Sequence, residues 1–314
     1  MATARNLIVT RPLEIGIPER YTQPMTSINA TQHEHLLSIV LDHLGRDNVE
    51  VLEGGWAVRD RRGVYGLVNL AQELAGIPTG EWPERVGERL AMLGATSPEY
   101  PPDYEQAGPN LRIRLSADGS QPGWAAYRRI CDGLDEVLMM RNEVGCITVS
   151  PSQVASWGIS IDRAFADGRQ QTIWDEPRER KILARGDSKV VWVRANFFAS
   201  SVLLSLDHLL SRTNKFGAIA MAPCRDALLY AEVIDDRITA SVAGLIEIGS
   251  QWYVDGPGSI SPEVFWYQRD GRISRLVKAV GREFVPCWGS EFSKVLAHLE
   301  PGSPARHSSK RRHA

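Results

Sequence analysis

The stretch KVVWVRANFFASSVLLSLDHLLSRTNKFGAIAMAPCRDALLYAEV, residues 189–233, decides the fold class. Along Lys189–Ala195, Val190, Trp192 and Arg194 share one face and Val191, Val193 and Ala195 the other. Both faces are apolar until the end, so this is a strand covered on both sides. A helix pattern begins near Ser200. GAIAMA is a second strand, broken at Pro223 into Arg225-Asp226, and ALLYAEV is a third. Strands interleaved with a covering helix, and joined by short breaks, specify an α+β protein.

The neighbouring segments extend this reading in both directions. RKILARGDSKVVWVRA is a hairpin turning near Gly186-Asp187, and YRRICDGLDEVLMM is another turning at Asp132-Gly133. NLRIRL is an alternating strand after a Pro-rich loop at 97–110. Thr31 and Glu34 form a capping box, followed by the stripe Leu36, Leu37, Val40, Leu41, Leu44 and the stop Gly45. NVEVLEGGWAVRD reads as a hairpin around Gly54-Gly55. GLVNLAQELAG and EWPERVGERLAML read as helices. Ser150 caps a short helix with Pro151 at its first position, and Ser160 caps the next. Asp236 is expected to cap a long helix, PEVFWYQ to be the last strand, and EFSKVLAHLE to be a closing helix. The expected architecture is a mixed, largely antiparallel sheet covered by helices. It is divided as an N-terminal arm at 1–28, subdomains at 29–149 and 150–300, and a disordered basic tail at 301–314.

Composition bounds the function. The chain has 314 residues, is 43% apolar and carries a formal net charge of −2. Such a balance argues against a general nucleic-acid binder, which needs a positive field. The arginines and lysine of RHSSKRRHA form only a weak, salt-sensitive footprint. Cys131, Cys146, Cys224 and Cys287 are widely spaced, unlike a disulfide framework or a zinc ribbon. The first residues lack the apolar core of a signal peptide, and no run approaches the roughly 18 apolar residues of a spanning helix. A cytoplasmic protein is expected, without membrane partner, cofactor or metal. Pro12, Pro18 and Pro24 mark the arm, and Met25 is an alternative start.

Four segments, SQVASWGISIDRAFADG, RANFFASSVLL, APCRDALLY and SPEVFWYQRDG, together resemble the YtpQ-type family of bacterial proteins of unknown function. The resemblance spans residues 31–273 and is clearest after residue 150. The chain departs from the pattern in its N-terminal arm, after Gly271, and in Cys224, where a small hydroxyl residue is expected. The resemblance implies an α+β fold and no activity.

The candidate site residues are Arg194, Asn196, Ser200, Arg225 and Asp226. A guanidinium suits carboxylate or phosphate, and Asp226 would orient Arg225. Asp226 is equally suited to a structural turn. Ser200 and Ser201 at a helix start would either bind an anion or cap the helix. If Arg194 and Arg225 end adjacent strands at one rim, the two form an anion pocket. Cys224 adjoins Arg225 but lacks a nearby histidine base. His33 and His35 point to different helix faces, which is poor geometry for shared metal ligation. Gly256-Pro257-Gly258 is not a dinucleotide fingerprint, and no phosphate loop or nucleophile elbow occurs. The reading that follows is a non-catalytic module binding a protein partner or a small anionic ligand. The alternative is an enzyme acting on a phosphate- or carboxylate-bearing small molecule through the Arg/Asn/Asp cluster.

Overall fold

A computed structural model of the chain describes residues 28–299 apart from 61–62, 96–99, 122, 143–144, 176–178, 186–187, 196 and 282. The expected arm, save Ile28, and the expected tail lie outside the described residues. So does the Gly186-Asp187 turn.

The chain's first helix, α1 (Ala30–Leu44), starts two residues earlier than expected. Asn29 accepts from the Gln32 backbone N–H at 2.9 Å, and the Gln32 side chain accepts from the Asn29 N–H at 3.0 Å. The reciprocal cap is therefore Asn-x-x-Gln rather than Thr31–Glu34. Asn is at least as good an acceptor as Thr, so the earlier position wins. The helix stops at Gly45, whose φ of +83° suits glycine. β1 (Glu50–Leu52) and β2 (Ala57–Asp60) form the expected hairpin, and β3 (Gly63–Gly66) adds to β2. α2 (Val68–Leu74) and α3 (Trp82–Ala95) close this unit. Its core gathers Leu36, Val40, Val58, Leu67, Leu74 and Trp82.

Within the expected Pro-rich loop lies one turn of helix, α4 (Tyr104–Ala107), capped by Asp103. A four-stranded sheet follows, built from β4 (Leu111–Ala117), β5 (Tyr127–Cys131), β6 (Leu134–Asn142) and β7 (Gly145–Thr148). β6 is central, with β4 on one side and β5 then β7 on the other. Gly133, at φ +88°, makes the predicted turn. α5 (Pro151–Ser156) and α6 (Ile161–Asp175) begin at the predicted caps, Ser150 and Ser160. Both pack on this sheet. Val154, Trp157 and Phe165 meet Ile113, Leu138 and Met140 in one core. Residue 150, where the sequence reading divided the chain, thus lies inside a packed layer.

The largest sheet has seven strands in the order β14-β13-β12-β10-β11-β9-β8. They are β8 (Glu179–Arg185), β9 (Ser188–Arg194), β10 (Ala218–Cys224), β11 (Ala227–Glu232), β12 (Val264–Tyr267), β13 (Ile273–Val280) and β14 (Glu283–Pro286). β12 is not the last strand. β13 carries little strand signal of its own because Arg275 and Lys278 interrupt its alternation, and β14 is only four residues long. Every described pairing, in this sheet and the others, is antiparallel. The expected mixed sheet is thereby narrowed to an antiparallel one, and the α+β class stands.

Both faces of this sheet are covered. α7 (Ile238–Asp255) packs Leu245 and Ile246 against Val190, Met221, Leu229 and Val264. α8 (Ser290–His298) adds Phe292 to the same core. α7 is not capped by Asp236. Arg237 holds the cap position without a side-chain capping bond, and Asp235 accepts the Arg237 N–H at 3.1 Å. The opposite face meets Ser200–Leu209, which is a 3-10 helix kinked at Ser205 (φ −143°) rather than the expected α-helix. Leu206 there packs with Val193, Leu228 and Phe265, and with Leu115 and Leu134 of the four-stranded sheet. That shared core brings β4 alongside the start of the 3-10 helix.

Candidate functional site

Arg225 and Asp226 form the turn between β10 and β11, where the register slips between Met221 and Cys224. Pro223 has no N–H to continue the ladder. Arg225 is tied on every side. Its N–H donates to the Gly258 carbonyl at 3.0 Å, and its carbonyl accepts from the Ser200 N–H at 3.2 Å. Its Nε donates to Asp226 Oδ1 at 3.2 Å, and its guanidinium lies 4.5 Å over the Phe197 ring. Nη2 is 4.0 Å from Glu73 of α2, and the side chain is 15% exposed. Gly258, at φ +63°, lets the chain pass close, since a Cβ there would sit 3.0 Å from Arg225 Cδ.

Asp226 does a second task. Its Oδ1 also accepts the Phe197 N–H at 3.1 Å. Phe197 has φ +58°, the one positive value for a non-glycine among the described residues. A bulky residue adopts that conformation only at a cost of about 1–2 kcal/mol. The Asp226 bond and the stacked guanidinium hold it there. The segment 197–198 is thereby pressed onto the four-stranded sheet, where Phe198 packs on Val137 and Met139.

Ser200 is fully buried, and its Oγ has no hydrogen-bond partner. Ser201 Oγ accepts the Leu115 N–H at 3.3 Å. The N–H groups of Ser200, Ser201 and Val202 are bonded to Arg225, Phe198 and Ala199 carbonyls. The serines do not cap this helix start. Ala199 holds the cap position, and the first N–H groups are already satisfied.

Arg194 stands apart. It shares a strand face with Val190 and Trp192, which pack toward α7. It is exposed and pairs in register with Ala227 and Glu179. The Glu179 carboxyl is held below its usual value by its hydrogen bond to Lys181, with a smaller contribution from Arg194. The structure joins Arg225, Asp226 and Ser200, but not Arg194. Asn196 lies outside the described residues.

The residue that sequence reasoning missed is Arg114. On β4 it pairs with Val137, the same residue that packs on Phe198. Alternation in NLRIRL puts Arg112 and Arg114 on one face of the strand. The Phe197-Phe198 segment covers that face. Arg114 keeps a partial opening to water. Burial pushes its pKa down from the usual arginine value; Cys146 opposes this, and the Arg225 charge adds to it. No carboxylate among the described residues accepts a hydrogen bond from its guanidinium. Arg112, by contrast, donates to the carbonyls of Pro109 and Leu111 at 2.7 Å each. The signal available in sequence was a pair of alternating arginines in a strand with an otherwise apolar surface.

Other candidates carry no chemistry. Cys224 is buried, and burial pushes its thiol up to about 11, opposite to what a nucleophile needs. His33 stacks on Trp56 at 3.7 Å and bonds the Gly55 carbonyl through Nε2, while His35 lies against Trp82. Among the described residues no group of three His, Cys, Asp or Glu side chains could hold a metal, and no helix is long and apolar enough to cross a membrane.

No family model, no curated protein and no solved structure matches the chain. The likeness to the YtpQ-type family is neither supported nor opposed by these comparisons.

Proposed function

We propose that the protein is a non-catalytic binding module that takes a small anionic ligand between Arg114 and Arg225. One observation supports this above all. Arg114 is a half-buried guanidinium on the strand face that Phe198 covers, with no carboxylate hydrogen-bond partner among the described residues. A charge drawn out of water without a counter-ion is costly, and an oxyanion ligand relieves that cost. The reading is non-catalytic because the groups around it are already engaged in holding the fold. Asp226 bonds Phe197 and Arg225, and the Cys224 thiol is protonated at neutral pH. We place the module in the cytoplasm, on four free and widely spaced cysteines. Membership of the YtpQ-type family is part of this proposal and adds no activity to it.

Thermal unfolding in the presence of acetate or phosphate tests the reading. The unchanged protein should be stabilised increasingly, with the logarithm of ligand concentration above the dissociation constant. Arg114→Gln should lose that stabilisation. Equal stabilisation of both proteins, or of neither, would remove the site.

A further inference from the structure

The charges around the site limit what can bind there. Arg225 is already countered by Asp226 at 3.2 Å and faces Glu73 at 4.0 Å. Glu73 in turn lies 3.7 Å from Arg89. Among the described residues no carboxylate pairs with Arg114, which brings one positive charge to the strand face that Phe198 covers. A neutral polar group lies beside Arg225: Ser200 Oγ, buried and without a hydrogen-bond partner among the described residues, on a residue whose N–H is bonded to the Arg225 carbonyl. Its neighbour Ser201 is fastened to Leu115, the residue after Arg114. Ser200 is thus bonded to Arg225 through its backbone, one residue before the contact with β4, and its hydroxyl has one proton to donate.

We infer that the site selects a singly charged, planar oxyanion, a carboxylate, over a doubly charged phosphate ester. This rests on the anion-site reading above. A guanidinium presents two parallel N–H groups that match a carboxylate edge to edge. One negative charge neutralises Arg114. A second would be placed near the Asp226 and Glu73 carboxylates, which repel it in a partly desolvated setting. A single donor hydroxyl likewise suits two carboxylate oxygens better than the three oxygens of a phosphate ester.

The test compares acetate with methyl phosphate by titration calorimetry at pH 8, where a phosphate monoester carries close to two charges. Unchanged protein, Arg114→Gln and Glu73→Gln are measured. Glu73 is exposed enough for its replacement to leave the fold intact. Acetate should bind about tenfold more tightly than methyl phosphate, a gap of about 1.4 kcal/mol. Arg114→Gln should abolish acetate binding. Glu73→Gln should narrow the gap by strengthening methyl phosphate binding. Methyl phosphate binding as tightly as acetate, and through Arg114, would overturn the carboxylate preference while keeping the anion site. An unchanged gap in Glu73→Gln would overturn the charge argument. Binding of neither probe, or binding unaffected by Arg114→Gln, would overturn the site itself.

Discussion

Arg225 and Arg114 approach each other from two different sheets, and the molecule holds them in opposite ways. Arg225 sits in a turn, bonded through its N–H, its carbonyl and its side chain to Gly258, Ser200 and Asp226, and stacked on Phe197. Arg114 sits mid-strand, desolvated and without a carboxylate partner among the described residues. The residue with the stronger sequence signal is the one committed to structure. A guanidinium whose counter-charge is supplied by the chain has less to offer a ligand. One that folding leaves unpaired has its whole charge to offer.

Substitution at these positions can break that contrast. Arg225→Ala should have the largest effect. It removes the ion pair and the ring contact and leaves Asp226 without its counter-charge, so a loss of about 3 kcal/mol is expected in urea denaturation. A loss below about 1 kcal/mol would show that the turn does not depend on it. A smaller effect belongs to Asp235, which Arg237 ties down much as Arg225 ties Asp226. The Arg237 hydrogen bond holds the Asp235 carboxyl below its ordinary value, against the opposing effect of burial. Its folded-state pKa is therefore lower than its unfolded one, and the unfolded chain binds more protons in the interval between them. The contribution is complete above the unfolded value, about pH 4, and disappears as pH falls through the folded value. Asp235→Asn should flatten the acid limb of the stability curve by at most about 1 kcal/mol; an identical acid limb in the variant would show the pair contributes nothing. Arg114→Gln should have the smallest effect on the ligand-free protein. Removing an unpaired, desolvated charge should change stability by less than about 0.5 kcal/mol or raise it. A clear destabilisation would mean that Arg114 has a structural partner after all, and the contrast with Arg225 would collapse.

The elements legible in sequence were those whose pattern is complete within a few residues. The strands of 189–233, the Asp132-Gly133 turn, and the Ser150 and Ser160 caps needed no distant partner to be recognised. Strands β3, β7, β13 and β14 were not legible. They are short or interrupted by charges, and their neighbours in the sheets decide that they are strands. The candidate site divided along the same line. Arg225 and Asp226 announce a turn through the proline before them. Arg114 becomes special only because Phe197, held at positive φ, folds over a strand face more than eighty positions earlier in the chain. Nothing within NLRIRL records that covering.

The way α5 and α6 lie on the sheet formed before them bears on how the chain can be dissected. A fragment ending at residue 149 would expose Ile113, Leu138 and Met140 to water, and one beginning at 150 would carry Phe165 and Trp157 as a sticky, unmatched surface. Each should aggregate. The unit built from α1, α2, α3 and the first three strands, by contrast, closes a core of its own around Leu36, Val40, Val58, Leu67, Leu74 and Trp82.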